Sequence, residues 1–186
     1  MLYCNWQMKS PKLLLENKRI DLIIKRFAAQ LFEQGCDPKT FAIVGLQPRG
    51  VQLARRVYHE LKQLNDQFHL FGELDHTLYR DDIGRGEIHL PKPSNIPFST
   101  EGKRILLIDD VLYTGRSVRS AIDGLMHYGR PAQVELMVLI DRRMERELPI
   151  TPQYWGLVVD SKSTGEYVKV EWSDQEQMVW LLDEKR

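Results

Sequence analysis

Residues 105–117 read ILLIDDVLYTGRS, and this stretch decides the fold. Ile105 to Ile108 is a continuous apolar run, the pattern of a strand covered on both faces in a parallel sheet. Asp109 and Asp110 stand at its carboxyl end, a short turn with Thr114, Gly115 and Ser117 follows, and helical periodicity begins at Arg116. Each part has a chemical use. The first amides of a helix, with the Thr114 and Ser117 hydroxyls, suit an anion such as phosphate. Gly115 lets the backbone approach that anion with no side chain between them. Two adjacent carboxylates repel a phosphate; they suit sugar hydroxyls, or a Mg2+ ion held near a pyrophosphate. A capped helix with acids near its positive end explains the same residues taken singly. Their order is what singles the stretch out.

Outward from this point, strands and helices alternate. Upstream, Ile20, Ile23, Ile24, Phe27 and Leu31 predict a helix over 16–34 that Gly35 stops. A buried strand follows over 41–46, then Pro48 and Gly50 at a sharp turn. A second helix fits 51–64, with Val51, Ala54, Val57, Tyr58 and Leu61 on one stripe. A strand is expected over 68–78. Downstream, the pattern gives a strand over 104–109, a helix over 116–128, a strand over 134–140, and short strands over 167–172 and 178–182. Residues 79–98 lack periodicity and carry Gly84, Gly86, Pro91, Pro93 and Pro97, which reads as a flexible loop. The pattern also loosens over 141–165. The expectation is one α/β domain over 1–186, its central, mainly parallel sheet flanked by helices, with 1–12 as an N-terminal extension. Right-handed crossovers bring the strand carboxyl ends to one rim, where the motifs fall.

Composition narrows the function classes. The chain has 186 residues, with 26 Lys+Arg against 26 Asp+Glu, 42% hydrophobic and 28% charged, which excludes global disorder and supports one core. No apolar run reaches the ~18–20 residues of a membrane span, and no secretory signal pattern stands near the start. Cys4 and Cys36 form neither a disulfide framework nor a metal-ligand pattern, so a reducing, cytoplasmic setting is expected. The five histidines show no zinc spacing, and Cys36 reads as a packing residue. Balanced charge gives no general nucleic-acid footprint, although Lys9, Lys12, Lys18, Arg19, Lys25 and Arg26 outnumber Glu16 and Asp21 near the start. A phosphorylation receiver also pairs carboxylates at a sheet rim. That class is set aside because here the acid pair lies in a middle strand and a glycine turn follows it. Trp155, Trp172 and Trp180 suggest a tail that covers the sheet or a subunit contact.

The 105–117 pattern, four apolar residues, two acids, two apolar residues and then T-G-x-S, resembles the phosphoribosyl-pyrophosphate (PRPP) fingerprint of the type I phosphoribosyltransferases. With LYRDD (78–82), GRP (129–131) and RELPI (146–150), the chain is similar to the bifunctional pyrimidine-operon regulator and uracil phosphoribosyltransferase family, PyrR, over about residues 12–172. The resemblance implies a type I phosphoribosyltransferase fold with a small hood and a flexible loop over the site. It implies joining uracil to PRPP with Mg2+, giving UMP and diphosphate. By the same resemblance, Asp109 and Asp110 hold the ribose hydroxyls and the metal, directly or through the substrate. Tyr113, Thr114, Gly115, Arg116 and Ser117 hold the 5-phosphate. Gln47, Pro48, Arg49 and Gly50 form the pyrophosphate loop, where the family commonly carries K-T-R-G; the Gln47–Pro48 bond stays open between cis and trans, cis being cheap before proline. Arg80 offsets charge on the departing pyrophosphate, on a loop that excludes water.

Asp141 and Arg142 open the hood and base-binding region, 141–165, where DRRMERELP replaces the family's D-R-G-H-R-E-L-P. A leader-RNA surface would draw on Lys18, Arg19, Lys25, Arg26, Arg143 and Arg146. The resemblance also implies a homodimer or a tetramer. Two alternatives stay open: a non-catalytic nucleotide-sensing RNA regulator, and a phosphoribosyltransferase for another base.

Overall fold

In the computed structural model, which describes residues 11–79, 92–160, 165–173 and 176–183, the chain forms two sheets and three helices. In chain order the elements are β1 (Lys12–Leu15), α1 (Asn17–Glu33), β2 (Phe41–Leu46), α2 (Gly50–Leu64), β3 (Phe71–Leu74) and β4 (Arg104–Leu112). They continue with α3 (Arg116–Leu125), β5 (Gln133–Asp141), β6 (Tyr154–Val158), β7 (Glu166–Trp172) and β8 (Gln177–Asp183). The central sheet runs β3-β2-β4-β5-β6, every pairing parallel.

Period-two alternation sorts its side chains between two faces. Ile43, Leu106, Ile108, Met137 and Leu139 pack with Ile24, Phe27 and Leu31 of α1 and Leu53, Val57 and Leu61 of α2. Val44, Ile105, Leu107, Leu136 and Val138 pack on the other face with Val118, Ala121 and Leu125 of α3. This double coverage is why the sequence shows unbroken apolar runs at these strands.

The second sheet is antiparallel, β1-β8-β7, and joins the two ends of the chain. Its Leu15, Val170 and Val179 enter the same apolar cluster as α1 and α2. Arg56 of α2 ties it down, donating to Asp21 of α1 at 2.5 Å and to Gln177 of β8. Among the described residues the small sheet thus comes from Lys12–Leu15, Glu166–Trp172 and Gln177–Asp183, whereas Tyr154–Val158 adds β6 to the main sheet.

Other boundaries shift for local reasons. The strand expected over 68–78 is only Phe71–Leu74: Phe68 turns edge-on to the Phe41 ring at 6.1 Å. Beyond β3, the Asp75 carboxylate accepts the Thr77 amide at 2.7 Å and bends the chain into a 3-10 turn, Thr77–Tyr79. β4 runs to Leu112, its Asp109 opposite Val138 and its Leu112 opposite Asp141, so both aspartates belong to the strand. α3 tightens into a 3-10 turn over Met126–Tyr128 before Gly129. Of the expected loop, Arg80 and the rest of 80–91 lie outside the described residues, as do 1–10. Residues 92–98 are packed: Asn95 exchanges two backbone hydrogen bonds with Glu73, and Ile96 and Phe98 rest on the α3-side core. No helix among the described residues is long and apolar enough to cross a membrane.

Candidate active site

The strand order reverses between β2 and β4. From β2 the chain moves outward to β3; from β4 it moves the other way, to β5 and β6. Such a reversal opens a crevice at the strand carboxyl ends, the usual ligand position in open α/β sheets. The residues leaving β2 are Gln47–Gly50, and those closing β4 are Asp109 and Asp110. The expected motifs meet here.

The Gln47–Pro48 peptide, open between two isomers in the sequence, is cis. Gln47 donates its amide to the Leu74 carbonyl at 2.9 Å and its side-chain Nε2 to the Pro93 carbonyl at 3.1 Å. Arg49 is exposed at the start of α2. A Cβ on Gly50 would lie 2.5 Å from the Ile108 carbonyl oxygen and 2.8 Å from the Asp109 Cα. Only glycine therefore lets α2 start directly on the end of β4.

Asp110 is 7% exposed, and its Oδ2 is buried with no hydrogen-bond partner. Its amide donates to Asp109 Oδ1 at 2.9 Å. Burial, and then the adjacent Asp110 charge, pushes the Asp109 carboxyl well above the usual carboxylate range. Burial also raises Asp110, against the opposing pull of the Arg49 guanidinium. The pair is short of donors and of positive charge. A ligand bringing hydroxyl groups or a cation supplies what the fold withholds.

Beyond the acids, Gly115 takes φ +95° and starts α3. The Thr114 carbonyl accepts the Glu147 and Leu148 amides, each at 3.1 Å, and Arg116 Nε donates to Glu147 Oε2 at 2.7 Å. Ser117 lies in the first turn of α3. Tyr113 is exposed, with the Arg142 guanidinium 4.8 Å from its ring centroid, a cation–π geometry.

The segment after β5 is built around Asp141, which is 1% exposed and accepts from both Arg143 and Arg146. Arg142, 3% exposed, donates to the Glu166 carbonyl at 2.9 Å and faces Glu145 at 3.5 Å, while its Nε has no partner. The altered stretch thus folds as a clamp over the phosphate turn, with a 3-10 turn at Arg143–Glu145.

The Arg146 side chain is 14% exposed and bonds to the Tyr113 carbonyl and Asp141, so it supports the turn. Lys18, Arg19 and Lys25 are exposed on α1, whereas Arg26 donates to the Trp155 carbonyl at 2.8 Å. Asp75, whose bonds join 77, 92 and 94 beside this site, carries no local signal in the sequence beyond its place just before LYRDD. Among the described residues, no three His, Cys, Asp or Glu side chains converge to hold a metal by themselves.

Comparison with known proteins agrees with this geometry. The phosphoribosyl transferase domain family matches residues 12–173. The "Bifunctional protein PyrR" of Elusimicrobium minutum is 40% identical over 173 residues, 92% of this chain and 96% of the relative. That of Listeria welshimeri is 38% identical over 171 residues, 90% and 92% of the two chains. Among solved structures, a hypoxanthine phosphoribosyltransferase from Staphylococcus aureus superposes with a TM-score of 0.62 at 23% identity, covering 84% of this chain and 81% of that one. A purine phosphoribosyltransferase from Pyrococcus horikoshii gives 0.59 at 22%, covering 79% and 87%. At these identities the structural matches speak for the fold alone.

Proposed function

This chain belongs to the phosphoribosyltransferase family, in its PyrR branch, and on that footing we propose that it transfers the phosphoribosyl group of PRPP to uracil, releasing diphosphate and forming UMP. The observation that carries the proposal is the acid pair closing β4 with Asp110 Oδ2 buried and unpaired, between the Gln47–Gly50 turn and the Gly115 turn. Asp109 and Asp110 accept the ribose hydroxyls. The Tyr113–Ser117 turn takes the 5-phosphate on its backbone and hydroxyl donors, and Arg49 and the 47–50 backbone take the pyrophosphate.

Two carboxylates, with no third ligand among the described residues, suit Mg2+, which keeps several non-protein oxygens in its shell. When bound with PRPP, the ion neutralises pyrophosphate charge. Asp141 anchors the segment that carries Arg142, whose unpaired Nε is a donor for a carbonyl of the base. Arg80 completes the positive charge around the leaving group. Keeping water from the anomeric carbon is the remaining demand, because oxocarbenium character there invites hydrolysis. A second activity, nucleotide-dependent binding of leader RNA, is favoured by the exposed Lys18, Arg19 and Lys25 on one helix; phosphate contacts would make it salt-sensitive.

The test is pyrophosphate release from PRPP with uracil and Mg2+, beside an Asp109→Asn/Asp110→Asn variant and a panel of other bases. Uracil-dependent release that vanishes in the variant is expected. Release with a purine and not with uracil would relocate the base specificity. Silence with every base would remove the enzyme reading and leave the RNA regulator.

A further inference from the structure

Asp75 lies just beyond β3, 8% exposed, and joins its own turn to the 92–94 segment. Its Oδ1 accepts the Thr77 amide at 2.7 Å and its Oδ2 the Lys92 amide at 2.5 Å, while its own amide donates to Ser94 Oγ at 2.9 Å. Between Lys92 and Ser94, the Pro93 carbonyl accepts Gln47 Nε2 at 3.1 Å. The Leu74 carbonyl, next to Asp75, accepts the Gln47 amide at 2.9 Å. The two residues flanking Pro93 are therefore fixed by Asp75, and Pro93 in turn fixes Gln47, which precedes the cis bond to Pro48 and then Arg49.

On the other arm, Tyr79 is seated against α3. A Cβ on Gly124 would fall 2.8 Å from the Tyr79 ring, and Arg119 donates to the Tyr79 carbonyl at 3.3 Å. Burial alone would raise the Asp75 carboxyl, but the bonds from Thr77 and Lys92 and the nearby His76 hold it below its usual value. It is a charged acceptor for two backbone amides. Glu73 is the nearest other acid in sequence, and it is engaged by Arg55 at 2.6 Å.

We propose that Asp75 is a positioning residue for the pyrophosphate side of the site, acting through the 92–94 segment and Gln47 to set where Arg49 and the 47–50 backbone meet the ligand. The proposal rests on the phosphoribosyltransferase reading above. It goes beyond that reading by placing a determinant of pyrophosphate binding outside the motifs. The Gln47 side chain, in this account, serves as the linkage, and the backbone beyond it serves the ligand.

The experiment compares wild type, Asp75→Asn, Asp75→Glu and Ser94→Ala. PRPP and uracil are varied separately in the steady-state assay, and binding of inorganic pyrophosphate with Mg2+ and of UMP is measured by calorimetry. Asp75→Asn turns one acceptor into a donor facing an amide. It should raise the KM for PRPP and the Kd for pyrophosphate roughly tenfold, with uracil KM and UMP Kd within about twofold. Asp75→Glu should recover part of the loss, and Ser94→Ala, a milder cut in the same network, should shift the same two constants less.

Unchanged pyrophosphate binding in Asp75→Asn overturns the proposal. So does an equal loss for PRPP, uracil and UMP that follows a lowered melting temperature, since that marks a merely structural role; Ser94→Ala decides the matter if Asp75→Asn does not fold. A wild type that binds pyrophosphate and turns over no base would refute the enzyme reading alone, and the pyrophosphate constants of the variants would still decide on Asp75.

Discussion

Asp109 and Asp110 are placed where the apo fold gains nothing from them. Asp110 is buried with its Oδ2 unpartnered, Asp109 is half-buried, and the adjacent charge makes ionising Asp109 still harder. A folded-state pKa above the unfolded value of 3.8 means no penalty below 3.8, a penalty that grows as pH rises from there to the folded value, and a constant one above it. Asp109→Asn keeps an oxygen to accept the Asp110 amide and removes the charge. The ligand-free variant should therefore melt higher than wild type at neutral pH, by about 2–4 °C for each kcal/mol relieved, with the difference fading as the pH approaches 4. Turnover should fall about ten- to a hundredfold, the worth of a charged hydrogen bond of about 1.5–3 kcal/mol. Melting curves across pH, beside kcat/KM, check both halves; a variant less stable than wild type at neutral pH would refute the first. This acid pair was legible in the sequence because its chemistry is local: apolar run, acids, glycine turn. Asp75 was not, because the Lys92 amide and the Ser94 hydroxyl that meet it stand 17 and 19 residues away in the sequence.

Elements divide along the same line. β2, β4 and β5 were legible because both their faces are covered and their residues are apolar without interruption, and α1 and α2 because one stripe of each is buried. β1 escaped notice. Lys12 and Leu13 are exposed, and the strand exists only because β8, from the far end of the chain, pairs with it. β6 escaped for a related reason: Trp155 is exposed beside Gly156, so the strand shows neither alternation nor an unbroken apolar run. Contacts between distant segments leave no period to read.

The junction of α2 with β4 makes a prediction of the same scale. Gly50→Ala puts a methyl 2.5 Å from the Ile108 carbonyl and 2.8 Å from the Asp109 Cα, both backbone, so the helix start must move off the strand end. Overpacking of this kind costs about 1–3 kcal/mol. Because the atoms displaced belong to the crevice, pyrophosphate affinity should fall together with the melting temperature. Calorimetry on the variant with Mg2+ and pyrophosphate would show it, and wild-type affinity would mean that α2 can tilt without disturbing the acids.

At the scale of the whole molecule, two sheets of opposite character share one core. Val179 is fully buried in the central strand of the small sheet, opposite Leu15 and Val170, yet it belongs to the cluster that holds Ile24, Leu106 and Leu139. Arg56 adds a polar tie between α1, α2 and β8. If the apolar cluster is what joins the sheets, they unfold as one unit and damage to either lowers a single transition. Val179→Ala removes two buried methyl groups, about 0.8 kcal/mol each, and leaves a cavity, for a total of about 2–3 kcal/mol. At about 2–4 °C per kcal/mol the melting temperature should drop by several degrees. The calorimetric and van't Hoff enthalpies should stay equal. Two resolved transitions, the lower one moving alone, would instead make the small sheet an independently melting cover. The coupling matters for the site because β7 pairs with β8 and β8 with β1, and β1 leads directly into α1, one of the two helices packed in the same cluster as residues of β2 and β4. Loosening the chain ends should therefore reach the strands that carry the acids before it reaches α3. Amide exchange in Val179→Ala should rise in β1, β8 and α1 ahead of α3, the order that distinguishes transmission through the shared cluster from uniform destabilisation.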